Sequence, residues 1–243
     1  MHYQAPSDLL KDRIILVTGA GDGIGKAAAK AYAAHGATVI LLGRTIHKLE
    51  QVYDEILEAG GPTPAIYPMN LEGAAPKDYE DLAATIKKEF GQLHGLLHNA
   101  AWLGANTPLS MYDMEVWFKV IQVNLNAPFI LTRAVLPLMI EPGNASIIFT
   151  TDDKTTAYWG AYGVSKAAID GLMKILADEM DTDKPVKVNA IDPGPVRTAM
   201  RMNAFPGEDP NDQVRPEQIM DTYLYLMGKD SDGQQGKIFK AQD

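Results

Sequence analysis

Tyr162 and Lys166 stand four residues apart in Tyr162-Gly163-Val164-Ser165-Lys166. On a helix this spacing sets a phenol and an ammonium one turn apart on the same face. A cation beside a phenol favours the phenolate and draws its pKa down from about 10 toward working pH, as a general acid–base requires. Near the start of the chain, Gly19, Gly23 and Gly25 follow the apolar run Ile14-Ile15-Leu16-Val17-Thr18, with Asp22 among them. Lacking a Cβ, glycines permit a tight turn and close backbone approach to a pyrophosphate. A helix beginning near Ile24 would aim its free amides and positive end at the same phosphates.

Both groups need a scaffold, and short β-rich runs alternate with helix-period segments throughout. The patterns predict strands at Ile14–Thr18, Thr38–Gly43, Ala65–Asn70, Leu96–Asn99, Ser146–Thr150, Val186–Asp192 and Lys237–Lys240. Helices are predicted near Ile24–His35, Ile46–Ala59, Pro76–Phe90, Met114–Leu138, Ala161–Met180 and Pro216–Met227. Seven strands joined through helices imply an α/β, doubly wound, mainly parallel sheet covered on both faces. No repeat or linker divides the chain, so residues 1–243 read as one Rossmann-type domain, with residues 1–12 as an N-terminal extension. The breaker-rich segment 194–215 follows the sixth strand, where open α/β sheets bind ligands, and reads as a substrate lid.

Composition narrows the partners. Lysines and arginines number 22 against 31 aspartates and glutamates, a formal charge of −9, which gives no basic footprint for nucleic acid or an anionic membrane. The 243 residues include no cysteine, which excludes disulfides and thiolate metal sites. The first residues lack a signal-peptide pattern, and no apolar run reaches the ~20 residues that span a bilayer, so a soluble cytoplasmic protein is expected. Of the five histidines only His94 and His98 are close in sequence. Four apart on a strand they are separated by roughly 13 Å, too far to grip one ion; they read as surface or strand-end residues, with no metal site.

Thr18 to Gly25 match the T-G-x-x-x-G-I-G turn throughout, and with Tyr162-x-x-x-Lys166 far downstream the chain resembles the short-chain dehydrogenase/reductase family. The motifs fall in the family's order from Arg13 to about Phe239. Trp159-Gly160-Ala161-Tyr162 and Arg197-Thr198-Ala199-Met200 are similar to a bacterial subfamily of poorly assigned oxidoreductases. The resemblance implies that Gly19, Asp22, Gly23, Ile24 and Gly25 line the pyrophosphate turn. It places Asn70 and Leu71 at the adenine, with Asn99, Ala100 and Ala101 along the adenosine side, where His98-Asn99-Ala100-Ala101 departs at two positions from the family's Asn-Asn-Ala-Gly. Pro193, Gly194, Val196 and Thr198 would hold the nicotinamide carboxamide. Cofactor choice turns on Gly43-Arg44-Thr45: short-chain NAD enzymes carry an acid where this chain has Gly43, and an arginine welcomes a 2′-phosphate, so NADP(H) is favoured over NAD(H). Asp22, at a loop position where many NADP-using relatives carry a base, counts against it.

The same resemblance gives Tyr162 the proton transfer, Lys166 the nicotinamide ribose and the tuning of the phenol, and Asn124 a proton-relaying water. The fourth member, a serine, is missing: after Ser146 the chain runs Ile147-Ile148-Phe149-Thr150-Thr151-Asp152-Asp153-Lys154, with no serine before Tyr162. Three readings stay open. Thr151 or Thr150 supplies the hydroxyl. Asp152 stands in the serine position, where it must be protonated or serve a different substrate group such as an amine. Or carbonyl chemistry is weak or lost, leaving a nucleotide-binding sensor or interaction protein. The implied activity is hydride transfer between NADP(H) and a small carbonyl or alcohol substrate. Trp102, Leu103, Trp159, Met200, Met202 and Phe205 would wall the pocket. As in the family, a homodimer or homotetramer is expected, paired through the helices around 124–138 and 162–180, on which Ala134, Ala168 and Leu172 are noted.

Overall fold

In the computed structural model the described residues are 3–180 and 186–242; the terminal His2 and Asp243 lie outside them. Seven strands form: β1 Ile14–Thr18, β2 Thr38–Gly43, β3 Ala65–Pro68, β4 Gly95–His98, β5 Ala145–Thr150, β6 Val186–Asp192 and β7 Ile238–Lys240. They make one sheet in the order β3-β2-β1-β4-β5-β6-β7. Every neighbouring pair is parallel, so the sheet goes beyond the mainly parallel arrangement expected. The central strands are almost wholly apolar because both faces are covered. Leu16, Ile40, Leu42, Ile147 and Phe149 point into one layer. Their strand neighbours Ile15, Val17, Val39, Leu41 and Ile148 point into the other. β3 ends at Pro68 instead of Asn70; it is an edge strand, and proline has no N–H to extend a ladder.

The helices are α1 Gly23–Ala34, α2 Ile46–Glu58, α3 Pro76–Phe90, α4 Met114–Ile121, α5 Ala127–Ile140, α6 Gly160–Glu179, α7 Ala199–Ala204 and α8 Met220–Met227. α3, α5 and α6 cover the first layer, while α1, α2 and α8 cover the second. The single helix expected over 114–138 is interrupted: a π-helical turn, Gln122–Asn126, joins α4 to α5. An extra residue in one turn re-aims the side chains that follow and is frequent at functional sites. Together Met114–Ile140 are long and apolar enough to cross a membrane by length and composition, against the expectation that no such run exists. Here the segment is a wall of the core, burying Leu131, Val135, Leu138 and Met139 against α3 and the sheet. His94 and His98 correct the surface reading, for both are buried. His94 Nδ1 accepts from the Ile14 amide at 3.0 Å. His98 Nε2 lies 2.8 Å from Thr132 Oγ1, and its ring stacks on Phe149.

Candidate active site

The chain winds outward one way from β1 to β3 and the other way from β4 to β7, so connections leave β1 and β4 in opposite directions. A crevice opens at such a switch point. An open cleft of about 770 Å³ lies there. Gly19 has φ +69°, a left-handed value that favours glycine, and a Cβ on it would come within 3.0 Å of Ala100 Cα. Gly25 does not line the cleft; a Cβ there would fall 2.2 Å from Gly19 O, so it serves to let α1 pack against the turn. Thr18 fastens the facing loop: its Oγ1 donates to Leu97 O and accepts from the Asn99 and Ala100 amides at 3.0 and 3.1 Å.

Gly19, Asp22, Gly23 and Ile24 line one end of the cleft, with Arg44 and Thr45 at the end of β2 beside them. Asn70, Leu71, Asn99, Ala100 and Ala101 line the side wall. Asp22 caps α1, accepting from the Gly23 amide at 2.8 Å, and its other oxygen takes Lys48 Nζ at 2.6 Å. The lysine holds its carboxyl below the usual range. Lys48, missed in the sequence, brings to this rim the base that the glycine loop lacks; it lies three residues beyond Thr45, on the first turn of α2. Arg44 is exposed and makes no ion pair among the described residues. Across the cleft, Pro193, Gly194, Val196 and Thr198 line a turn in which Thr198 caps α7 by accepting from the Arg201 amide. Gln242, on the segment after β7, fixes this turn, its Nε2 donating to Pro193 O and Pro195 O at 2.6 and 2.9 Å.

Tyr162 and Lys166 face the same cleft from the first turns of α6, both buried. Tyr162 Oη donates to Asp152 Oδ2 at 3.1 Å. Lys166 Nζ donates to Thr150 O at 2.7 Å and lies 5.6 Å from the centre of the Tyr162 ring. Burial draws Lys166 down to about 8, against the opposing pull of Asp152 and Asp170. The phenol moves the other way from expectation: burial first, then the charge and hydrogen bond of Asp152, push Tyr162 well above its ordinary value. The lysine is therefore not the dominant influence on the phenol as the side chains stand.

Asn124 sits in the π-helical turn, and its side chain is fully engaged. Its Oδ1 accepts from the Trp102 amide at 2.8 Å, and its Nδ2 donates to Trp102 O and Ser165 Oγ, each at 3.0 Å. It thereby locks the wall of the cleft to α6. Thr150 ends β5 and Thr151 follows it, and alternation sends their hydroxyls to opposite layers. Both Oγ1 atoms are sealed from solvent; that of Thr151 faces the Asp170 carboxyl, and that of Thr150 faces the Tyr223 phenol, without closing a hydrogen bond of ordinary geometry. Asp152, the next residue, reaches the phenol instead.

A sequence model of the short chain dehydrogenase family matches residues 13–209. The chain belongs to the short-chain dehydrogenase family. Across its whole length it is 48% identical to the uncharacterized oxidoreductase YciK of Escherichia coli K12, covering 96% of that protein. A short chain dehydrogenase structure from Pseudomonas syringae superposes with a TM-score of 0.98 at 52% identity, over 100% of this chain and 99% of that one. Another, from Escherichia coli CFT073 and complexed with NADPH, gives 0.95 at 48% identity over 98% and 100% of the two chains. This short-chain dehydrogenase keeps the tyrosine and lysine at the cleft and sets Asp152 against the tyrosine, whereas Asn124 does not line the cleft and reaches α6 through Ser165. Of the expected wall, Trp102, Leu103, Trp159, Met200 and Phe205 line the cleft, while Met202 is exposed on the outer side of α7. Lys154 was also missed: its Nζ lies 3.2 Å from Asp152 Oδ1 and 5.5 Å from the centre of the Trp159 indole.

Proposed function

We propose that this short-chain dehydrogenase transfers hydride between NADP(H) and a small polarised C=X substrate lying against Tyr162. The observation that carries the reading is one continuous cleft running from the exposed Arg44 guanidinium to the buried Tyr162 and Lys166. The residues fit the cofactor: Gly19 and Gly23 leave a cradle that a Cβ would fill, the latter's reaching 3.3 Å from Thr198 Cγ2 on the opposite turn. Gly19, Gly23 and Ile24 would hold the pyrophosphate, Arg44 the 2′-phosphate, and Gly194, Val196 and Thr198 the carboxamide. When bound, the cofactor supplies or accepts the hydride. Asn99, Ala100 and Asn70 bound the adenosine side. Lys166 is placed to exchange its bond to Thr150 O for one to a ribose hydroxyl, and segment 194–215 to cover the substrate. The relative crystallised with NADPH supports the choice of NADP(H).

Titration of NADPH against NADH tests this. NADPH binds more tightly, and Arg44→Ala narrows the difference by about 1.5 kcal/mol, the low end for a hydrogen bond to a charged group because Arg44 is exposed. Tyr162→Phe stops turnover while leaving NADPH affinity nearly intact. Equal affinities for the two cofactors sink the NADP(H) assignment. A sensor without chemistry is the second reading, favoured by the acceptor Asp152 where the family has a donor. It predicts tight NADPH binding and no substrate-dependent oxidation.

A further inference from the structure

We propose that the reaction end of the cleft takes nitrogen in place of oxygen: the substrate presents a protonated imine, or in reverse its amine, to the Asp152 carboxylate. The inference rests on the hydride-transfer reading above and names the substrate class of that site. An inventory of donors carries it. A carbonyl oxygen gaining hydride becomes an alkoxide and needs donors aimed at it. Tyr162 has one O–H, and it is given to Asp152. Lys166 is bonded to Thr150 O, and although Thr150 and Thr151 line the cleft, their hydroxyl oxygens are sealed from solvent. A carboxylate only accepts. Apart from the Lys154 ammonium, which is paired with Asp152, what faces the substrate here is lone pairs, on Asp152 and on the phenol oxygen, so a substrate that displaces Lys154 must bring the hydrogen. Lys154 shows that this corner takes a cation: its ammonium rests between the Asp152 carboxylate and the face of Trp159. Its side chain is 28% exposed, free to swing into water when a substrate cation replaces it.

The step balances without a proton from the protein. Hydride from a reduced nicotinamide forms the new C–H bond at the iminium carbon. The C=N π pair settles on nitrogen, the iminium is reduced by two electrons, and the nicotinamide is oxidised by two. The neutral amine leaves with the N–H it brought. Tyr162 remains protonated throughout, in keeping with the burial and carboxylate that hold its proton; its part is to fix Asp152 against the iminium, the contact that Tyr162→Phe removes. Asp152 disfavours an alkoxide at the same point and favours the iminium over its neutral, unreactive imine.

Steady-state NADPH oxidation with 3,4-dihydroisoquinoline and with its ketone counterpart 1-tetralone tests the assignment, together with calorimetric binding of tetrahydroisoquinoline to the enzyme–NADP⁺ complex. The imine is expected to exceed the ketone in kcat/KM by about 100-fold or more, as when a site's buried polar groups are left unpaired by the wrong substrate. Asp152→Asn, which keeps the shape, should weaken both imine turnover and amine binding by about 30-fold, the lower range for removing one partner of a charge pair. Asp152→Ser should move the ratio toward the ketone, and Lys154→Met should lower the KM for the imine by removing a competing cation. A wild-type enzyme that prefers the ketone overturns the proposal, as does amine affinity unchanged in Asp152→Asn. Loss of ketone reduction in Lys154→Met would assign the oxygen site to that lysine and overturn it too. If the ketone alone is reduced, only the nitrogen assignment falls. If NADPH binds but neither probe is reduced and the amine does not bind, the hydride-transfer reading falls with it.

Discussion

Lys166 is a buried ammonium whose only hydrogen bond among the described residues is to a carbonyl, and that position has a consequence for stability. Its folded-state pKa, about 8, lies below the ordinary 10.5 of an unfolded lysine. Below about 8 both states hold the proton and the burial cost is constant. Between there and 10.5 the unfolded chain still holds a proton that the folded chain has released, so stability rises with pH across that window. The urea midpoint of the cofactor-free protein should climb from about pH 8 to about pH 9, ahead of most of the unfolded-tyrosine titration near 10, and Lys166→Met should flatten the climb. Lys187, also lowered by burial, contributes to the same limb, so part of the slope should survive. A midpoint that falls over this range, or a slope unaltered in the variant, contradicts the account. The Tyr–Lys pair was legible in the sequence because helix spacing alone fixes it. The direction of the phenol's shift was not, because Asp152 arrives from a different element. The hydroxyl directions of Thr150 and Thr151 were not legible for a related reason: sequence proximity to the strand end does not reveal which layer each hydroxyl enters.

At the scale of elements, β5 and α6 meet closely enough to join Asp152 to Tyr162 only because Gly163 lacks a side chain. A Cβ there would lie 2.0 Å from Lys154 O and 3.2 Å from Trp159 Cβ. The backbone oxygen cannot rotate aside as a flexible side chain could, so Gly163→Ala must push the 152–154 loop off α6. The expected cost is about 1–3 kcal/mol, the range for overpacking, read as a lower melting temperature, with turnover falling further than the thermal loss explains. An unchanged melting temperature and full turnover would show that the loop gives way freely and that its contact with Tyr162 is incidental. Strand and helix positions were read within a residue or two at most boundaries, since buried parallel strands and amphipathic helices carry strong periodic signals. The π-helical turn at Gln122–Asn126 was not, since one extra residue barely disturbs an apolar pattern that is already nearly continuous.

At the scale of the whole molecule, several large apolar side chains among the described residues are not covered by its own core. On α4, α5 and α6, Phe118 is 64% exposed, Phe129 50% and Ile175 62%, with Val164 also exposed. The residues noted from the sequence on these helices are a poorer guide: Ala134 and Leu172 lean inward against the first core layer, and the outward faces belong to their neighbours. Sequence gives the helix and its two faces, but the degree of tilt toward the sheet decides which flank is left bare. Large aromatics and isoleucine left exposed on these largely apolar helices are expected to be covered. A symmetric pairing of these helices with a second copy would cover them twice over, because a two-fold interface repeats every contact. The same symmetry makes the surface fragile to charge: the double variant Phe129→Glu, Ile175→Glu introduces four carboxylates into one interface while leaving the core untouched. Light scattering at micromolar concentration should give at least a dimer for the wild type and a monomer for the variant, with the far-ultraviolet circular dichroism of the two alike. A monomeric wild type would refute the pairing outright, and a variant that still associates would place the contact on another face.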